Sequence, residues 1–185
     1  MNNAPRIACL GWGSLICEPR DLPVVGEWAK DGPQLPVEFA RESGGHRITL
    51  VICEHVAPVT TLWALMNVAD LHAAIAALAH REGITKRIAS DIGYFDAVSG
   101  KRHGAKAEAI AVWSQDRNLD GVVWTNLPCG LTNSLGLMPS ADDVVAHLNA
   151  LEGDERANAR NYVEQAPRQV ETAYRAKIRS DLGWA

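Results

Sequence analysis

The sequence predicts an α+β fold: a mixed, mostly antiparallel sheet or small barrel packed by helices, with a helical C-terminal cap. Three observations carry this. Short apolar runs bounded by glycines and polar turns fill much of the first part of the chain, as strands do. One amphipathic segment with a start and a stop signal, residues 70–83, interrupts them. From Ser140 onward the apolar period becomes that of helices. No linker or repeat divides the chain, so a single domain over residues 1–185 is expected. Its sheet-rich core spans about 6–130 and its helical extension about 140–185.

The elements follow in order. Arg6-Ile-Ala-Cys-Leu-Gly11 reads as a short, buried strand. Residues 35–41, 46–53 and 59–66 are strand-like, with Ser43-Gly44-Gly45 a hairpin turn between the first two. Ile48, Leu50 and Ile52 share one face of their strand, and Arg47, Thr49 and Val51 the other. Asp70 caps a helix and Gly83 closes it in the left-handed position. Residues 92–95 form a short strand before the turn Val98-Ser-Gly100-Lys101. Residues 107–113 and 122–127 read as two more strands, joined by Ser114-Gln-Asp-Arg-Asn118. Ser140-Ala-Asp-Asp143 resembles a capping-box start, and Val144, Val145, Leu148 and Leu151 supply an apolar stripe. A second terminal helix is expected over 154–165, stopped by Pro167. A third, over 168–182, buries Val170, Tyr174 and Ile178.

Composition narrows the function. At 47% hydrophobic and 22% charged, the chain has the balance of a globular protein. A net charge of −4 argues against a nucleic acid or an anionic membrane as partner. No stretch approaches the ~20 apolar residues that cross a bilayer. Arg6 is not followed by an adequate apolar run, so no signal peptide is expected, and cytoplasmic residence follows as the default. Cys9, Cys17, Cys53 and Cys129 form no C-x-x-C pair and read as reduced thiols, Cys9 and Cys53 in strand cores. Cys53 and His55 on one strand face give two ligands at most, and His72 and His80 are too far apart on their helix to pair, so no metal is expected.

Two features point to chemistry. In the helix over residues 70–83, Leu71, Ala74, Ile75 and Leu78 define the core-facing stripe. At about 100° per residue, Glu82 falls within about 20° of Leu71 and Ile75, while His80 points away. An apolar face and the negative end of the macrodipole both disfavour a carboxylate's charge, which suits a general base. The plain alternative is an ion pair with an arginine such as Arg87 or Arg41, or a helix end that frays into water. The second feature is Gly11-Trp12-Gly13-Ser14-Leu15-Ile16 directly after the first strand. Glycines there let backbone N–H groups approach a ligand closely. Ile16 stands where a dinucleotide fingerprint needs its third glycine, and no clear helix follows. Ser14 lacks the flanking glycines of a nucleophile elbow. An ordinary tight turn at a sheet edge accounts for the segment equally well.

Together these features resemble the gamma-glutamyl cyclotransferase-like superfamily, whose members carry a Tyr-Gly-Ser-Asn/Leu turn after the first strand and a later glutamate, usually followed by glycine. Trp12-Gly13-Ser14-Leu15 matches the turn and Glu82-Gly83 the acid. Val59-Thr-Thr-Leu-Trp63-Ala-Leu-Met66 looks like the strand before the acid's helix. The resemblance runs from about Ile7 to Gly83. Trp12 departs from it, replacing a phenol hydroxyl with an indole N–H. By that resemblance, Gly11, Trp12, Gly13, Ser14 and Leu15 hold a small gamma-glutamyl substrate, and Glu82 takes a proton from its alpha-ammonium. The amine then attacks its own gamma-amide carbon, leaving 5-oxoproline and a free amine. No metal or organic cofactor is implied.

Other readings stay open. The same fold serves equally as a non-catalytic binding or regulatory module, with Glu82 merely buried. Cys129, in Leu127-Pro-Cys-Gly130, is the thiol in a loop setting, and a thiol-dependent amide hydrolase would use it. Arg156 with Arg160, and Arg175 with Arg179, are helical pairs suited to an anion or to a solvated face. Glu171–Arg175 reads as an ordinary helical ion pair.

Overall fold

The structure is a computed structural model that describes residues 4–184. Its strands are β1 (Ile7–Gly11), β2 (Val24–Ala29), β3 (Gln34–Leu35), β4 (Val37–Glu42), β5 (Ile48–Ile52), β6 (Val59–Thr60), β7 (Leu62–Met66), β8 (Ile92–Asp96), β9 (Arg102–His103) and β10 (Gly121–Thr125). Its helices are α1 (Ser14–Cys17), α2 (Leu71–Glu82), α3 (Ile88–Asp91), α4 (Ala107–Gln115), α5 (Ala141–Ala150), α6 (Gly153–Gln165) and α7 (Ala173–Leu182). The class is α+β. None of these helices is long and apolar enough to cross a membrane.

The chain gathers into two compact units that interleave in sequence. The first comprises Met1–Gly11, Glu18–Pro33 and Thr60–Leu127. It holds one mixed sheet of order β2-β7-β1-β10-β8-β9, parallel between β1 and β10 and antiparallel elsewhere. The order is linear with β2 and β9 at its edges, so the sheet is open and the small-barrel alternative falls. Ile7, Ala8, Cys9 and Leu10 on β1 are all buried, as expected of a central strand.

The second unit comprises Trp12–Cys17, Gln34–Val59 and Pro128–Ala185. Its centre is the β4–β5 hairpin, against which α7 packs through β4 and α6 through β5. Residues 128–130 extend the free edge of β4: the Gly130 N–H donates to Ala40 O at 2.7 Å, and the Glu42 N–H to Gly130 O at 3.0 Å. Pro36 explains why the strand expected over 35–41 is split between β3 and β4, since proline lacks the N–H a ladder needs.

Several expectations hold. Asp70 accepts from the Ala73 N–H at 2.8 Å, and Gly83 adopts φ 68°, the two ends foreseen for α2. Ser140 and Asp143 form the capping box of α5. Others do not. Residues 107–113 are helix, not strand: Ile110, Ala111 and Ser114 supply the buried face of α4, which packs on β8, β9 and β10. The third terminal helix begins at Ala173, where Thr172 caps it, rather than at 168. A strand (β2) and a helical turn (α3) occupy stretches to which the sequence had assigned neither.

Candidate functional site

In the glycine turn, Gly11, the last residue of β1, lies in the first unit and Trp12–Cys17 in the second; Gly11, Trp12, Gly13 and Leu15 are buried, and Ser14 and Ile16 are part-exposed. A one-turn helix, α1, begins within the turn at Ser14, where no clear helix was expected. The Trp12 indole N–H donates to Leu50 O at 3.1 Å, which ties the turn to β5. The Leu50 N–H in turn donates to the Tyr162 hydroxyl at 3.2 Å. That hydroxyl crowds Gly13: a Cβ there would fall 2.6 Å from Tyr162 Oη and 3.5 Å from its Cζ. A side chain at position 13 would require the Tyr162 hydroxyl to move.

A double-mutant cycle tests this contact. Gly13→Ala should cost about 1–3 kcal/mol, the usual range for overpacking. In the Tyr162→Phe background the nearest atom becomes Cζ at 3.5 Å, an ordinary contact, so the added cost should shrink. Denaturant unfolding measures it, and equal costs in both backgrounds would contradict the steric account.

Glu82 lies in the first unit, as the last residue of α2. The helix is rotated from the expected phase. Ala74, Leu78, Ala79 and Arg81 are its buried residues, whereas Leu71 and Ile75 are half-buried. The buried charge is thus Arg81, with 4% of its side chain exposed against 18% for Glu82. Arg81 Nη1 donates to Glu82 Oε1 at 2.5 Å and Nη2 to the Glu18 carbonyl at 2.6 Å. The alternative ion pair is present, though with the adjacent arginine rather than Arg87 or Arg41. Arg87 pairs with Asp91 at 3.5 Å, and Arg41 donates to Pro128 O at 2.8 Å. The phase of Arg81 was computable: seven residues beyond Ala74, it falls within about 20° of it. Both charges act on the buried Cys9 thiol. Burial pushes its pKa far up, Glu82 adds to this, and Arg81 opposes it.

The remaining candidates are structural. Arg175 donates to the carbonyls of Val163, Ala166, Pro167 and Val170 at 2.8–3.2 Å, tying down the end of α6. Burial lowers its pKa from the ordinary arginine value. Glu171 precedes α7 and pairs with Arg179, both contacts at 2.9 Å, correcting the expected pair with Arg175. Arg156 donates to the carbonyls of Leu148, Asn149 and Leu151, and Arg160 pairs with Glu164 at 2.7 Å. These arginines are spent on carbonyls and carboxylates, which removes the case for an anion grip. Cys53 follows β5 rather than lying in it, and His55 is in a bend, so they share no strand face. Burial, then neighbouring Cys129 and Glu38, push the Cys53 thiol up to about 12. Cys129 is half-buried beside Pro128, whose carbonyl accepts from Arg41. No cluster among the described residues is suited to hold a metal ion.

Two carboxylates of the second unit escaped sequence reading. Glu38 is buried on β4 and accepts from the Thr172 hydroxyl, the Phe39 N–H at 2.9 Å and the Tyr174 N–H at 3.2 Å, clamping the start of α7. Burial raises its pKa despite these donors. Glu42 accepts from the Thr132 N–H at 2.8 Å and pairs with His46 Nδ1 at 2.7 Å. Burial pushes its carboxyl up, but the Thr132 donors, His46 and His147 outweigh it and bring the pKa down to about 2. A depressed acid stabilises the fold above its unfolded value of 4.5, and this is lost as pH falls through about 2. Glu42→Gln should therefore flatten acid unfolding between about pH 5 and 2 by something of the order of 2 kcal/mol. An unchanged acid limb in a pH series of denaturant melts would contradict this.

Comparison of the chain with family models, with curated proteins and with solved structures finds no match.

Proposed function

We propose that this chain is a gamma-glutamyl cyclotransferase-like enzyme acting on a small gamma-glutamyl amide or peptide. In this reading Glu82 accepts a proton from the alpha-ammonium, and the freed amine forms a bond to the gamma-carbonyl carbon. The gamma C–N bond breaks, and both the proton held by Glu82 and the second proton lost by the attacking nitrogen go to the departing amine, which leaves as its ammonium. The products are 5-oxoproline and that amine. The attack is intramolecular, so the protein's task is orientation and a positioned base, and the step needs no redox partner. Gly11, Trp12, Gly13, Ser14 and Leu15 hold the carboxylate end, and Ser14 positions rather than attacks.

The observation that carries the reading is the Glu82 carboxylate at the end of α2. It is part-exposed and held by an arginine that is itself anchored on the Glu18 carbonyl. Its partial exposure leaves it accessible to a ligand, while the pair with Arg81 is the partnership the plain alternative expects. The thiol alternative is tested by comparing Cys129→Ala with wild type on a panel of gamma-glutamyl amino acids, gamma-glutamyl amines and glutathione. Equal rates are expected, and loss of amine release in Cys129→Ala would move the chemistry to the thiol.

A further inference from the structure

We propose that His46 is a pH-released latch: it holds the turn of the β4–β5 hairpin, residues 43–47, closed against α5 and α6, and lets it loosen as pH rises. The latch lies wholly within the second unit and is independent of the reaction proposed above. The turn closes on the Ser43 N–H, which donates to Arg47 O at 2.9 Å, and it packs on α6. Two consecutive residues in it are left-handed, Gly45 at φ 70° and His46 at φ 57°. Glycine takes that conformation freely, but a histidine there is strained and stays only where its surroundings hold it. Three contacts from three elements do so. His46 Nδ1 lies 2.7 Å from Glu42 Oε1 on β4, and Nε2 lies 4.0 Å from Glu155 Oε1 on α6. From α5, the His147 Nε2–H donates to the His46 carbonyl at 2.6 Å. The neighbouring arginines turn elsewhere, Arg41 to the Pro128 carbonyl and Arg47 to the Tyr162 ring.

Two of the three contacts depend on the imidazolium charge. Protonated His46 donates from both ring nitrogens. Once neutral it keeps one N–H, which Glu42 takes, and loses its attraction to Glu155. Less then opposes the strain. The carboxylates raise the His46 pKa, the Glu42 hydrogen bond first and the Glu155 charge second. A histidine raised above its unfolded value of 6.5 contributes fully below that value, and the contribution is lost as pH climbs through the folded one. On the acid side Glu42 stays ionised down to about 2. The latch is closed between those limits and released above them. Exposed ion pairs are individually weak, so the device changes local order and not the global fold. The turn also walls a cavity of about 400 Å³ with Thr132 and Leu135, and loosening the turn opens it.

NMR of the full chain across the histidine range, about pH 5 to 9, tests this. The His46 Cε1 resonance should titrate above 6.5, and the heteronuclear NOEs of the Gly44, Gly45 and Arg47 amides should fall with the same midpoint. Glu155→Gln should move both midpoints down together. His46→Asn keeps a residue tolerant of the left-handed conformation but removes the titration, so the order of the turn should no longer depend on pH. Glu155 is 54% exposed, so its variant carries the test if His46→Asn fails to fold in a thermal melt. Four results would each overturn the proposal: a His46 midpoint at or below 6.5, NOEs that stay flat through it, loosening that follows the His147 resonance instead, or pH dependence that persists in folded His46→Asn.

Discussion

Glu82→Gln should lower the rate of 5-oxoproline release by ~10²–10⁴-fold, the usual cost of losing a general base, while the chain stays folded. The amide matches the carboxylate in shape and can still accept from Arg81 Nη1, so the 2.5 Å contact and the Glu18 anchor have no steric reason to fail. What disappears is the ability to take a proton. The effect should fall on kcat more than KM, because the lost interaction is made as the proton moves. Steady-state kinetics together with a thermal melt separate the outcomes. A folded Glu82→Gln variant with wild-type turnover would leave the carboxylate only its structural partnership with Arg81.

Arg81→Met should be the most destabilising of the substitutions considered, at about 3 kcal/mol. Methionine fills much of the space but offers no donor. The loss leaves the Glu82 carboxylate, 18% exposed, and the Glu18 carbonyl without the two bonds Arg81 supplies. Removing one member of a largely buried pair costs more than removing both, because the survivor's charge is left uncompensated. Arg81→Met combined with Glu82→Gln should therefore be more stable than Arg81→Met alone. Denaturant unfolding of the four proteins measures this coupling, and simple additivity would show that the pair carries little of the stability here.

How far each element was legible follows from where its determinants lie. The ends of α2 and the start of α5 depend on Asp70, Gly83, Ser140 and Asp143, all within one turn of the boundary they set. β1 is legible because a central strand is apolar on both faces. Residues 107–115 were not. Ala-Glu-Ala-Ile-Ala-Val-Trp alternates small and large side chains like a strand, and packing against β8, β9 and β10 selects the helix instead. The arginines show the same limit: whether Arg175 grips an anion or a helix end depends on carbonyls exposed only once α6 has stopped.

Within the candidate site, the glycine turn was visible, but its support was not. Trp12 is fixed by a carbonyl 38 residues away, and Tyr162 reaches Leu50 across 112 residues. Glu82 was singled out for a degree of burial that belongs to Arg81. A phase error of a fraction of a turn was enough to exchange the two neighbours.

The reaction itself is decided by identifying the product. Incubation of wild-type protein with the gamma-glutamyl panel, followed by chromatography of the acid fraction, distinguishes cyclisation from hydrolysis of the same bond. The account predicts 5-oxoproline and free amine in equal amounts from at least one panel member, with no glutamate formed. Glutamate in place of 5-oxoproline, or no product from any member, would contradict it.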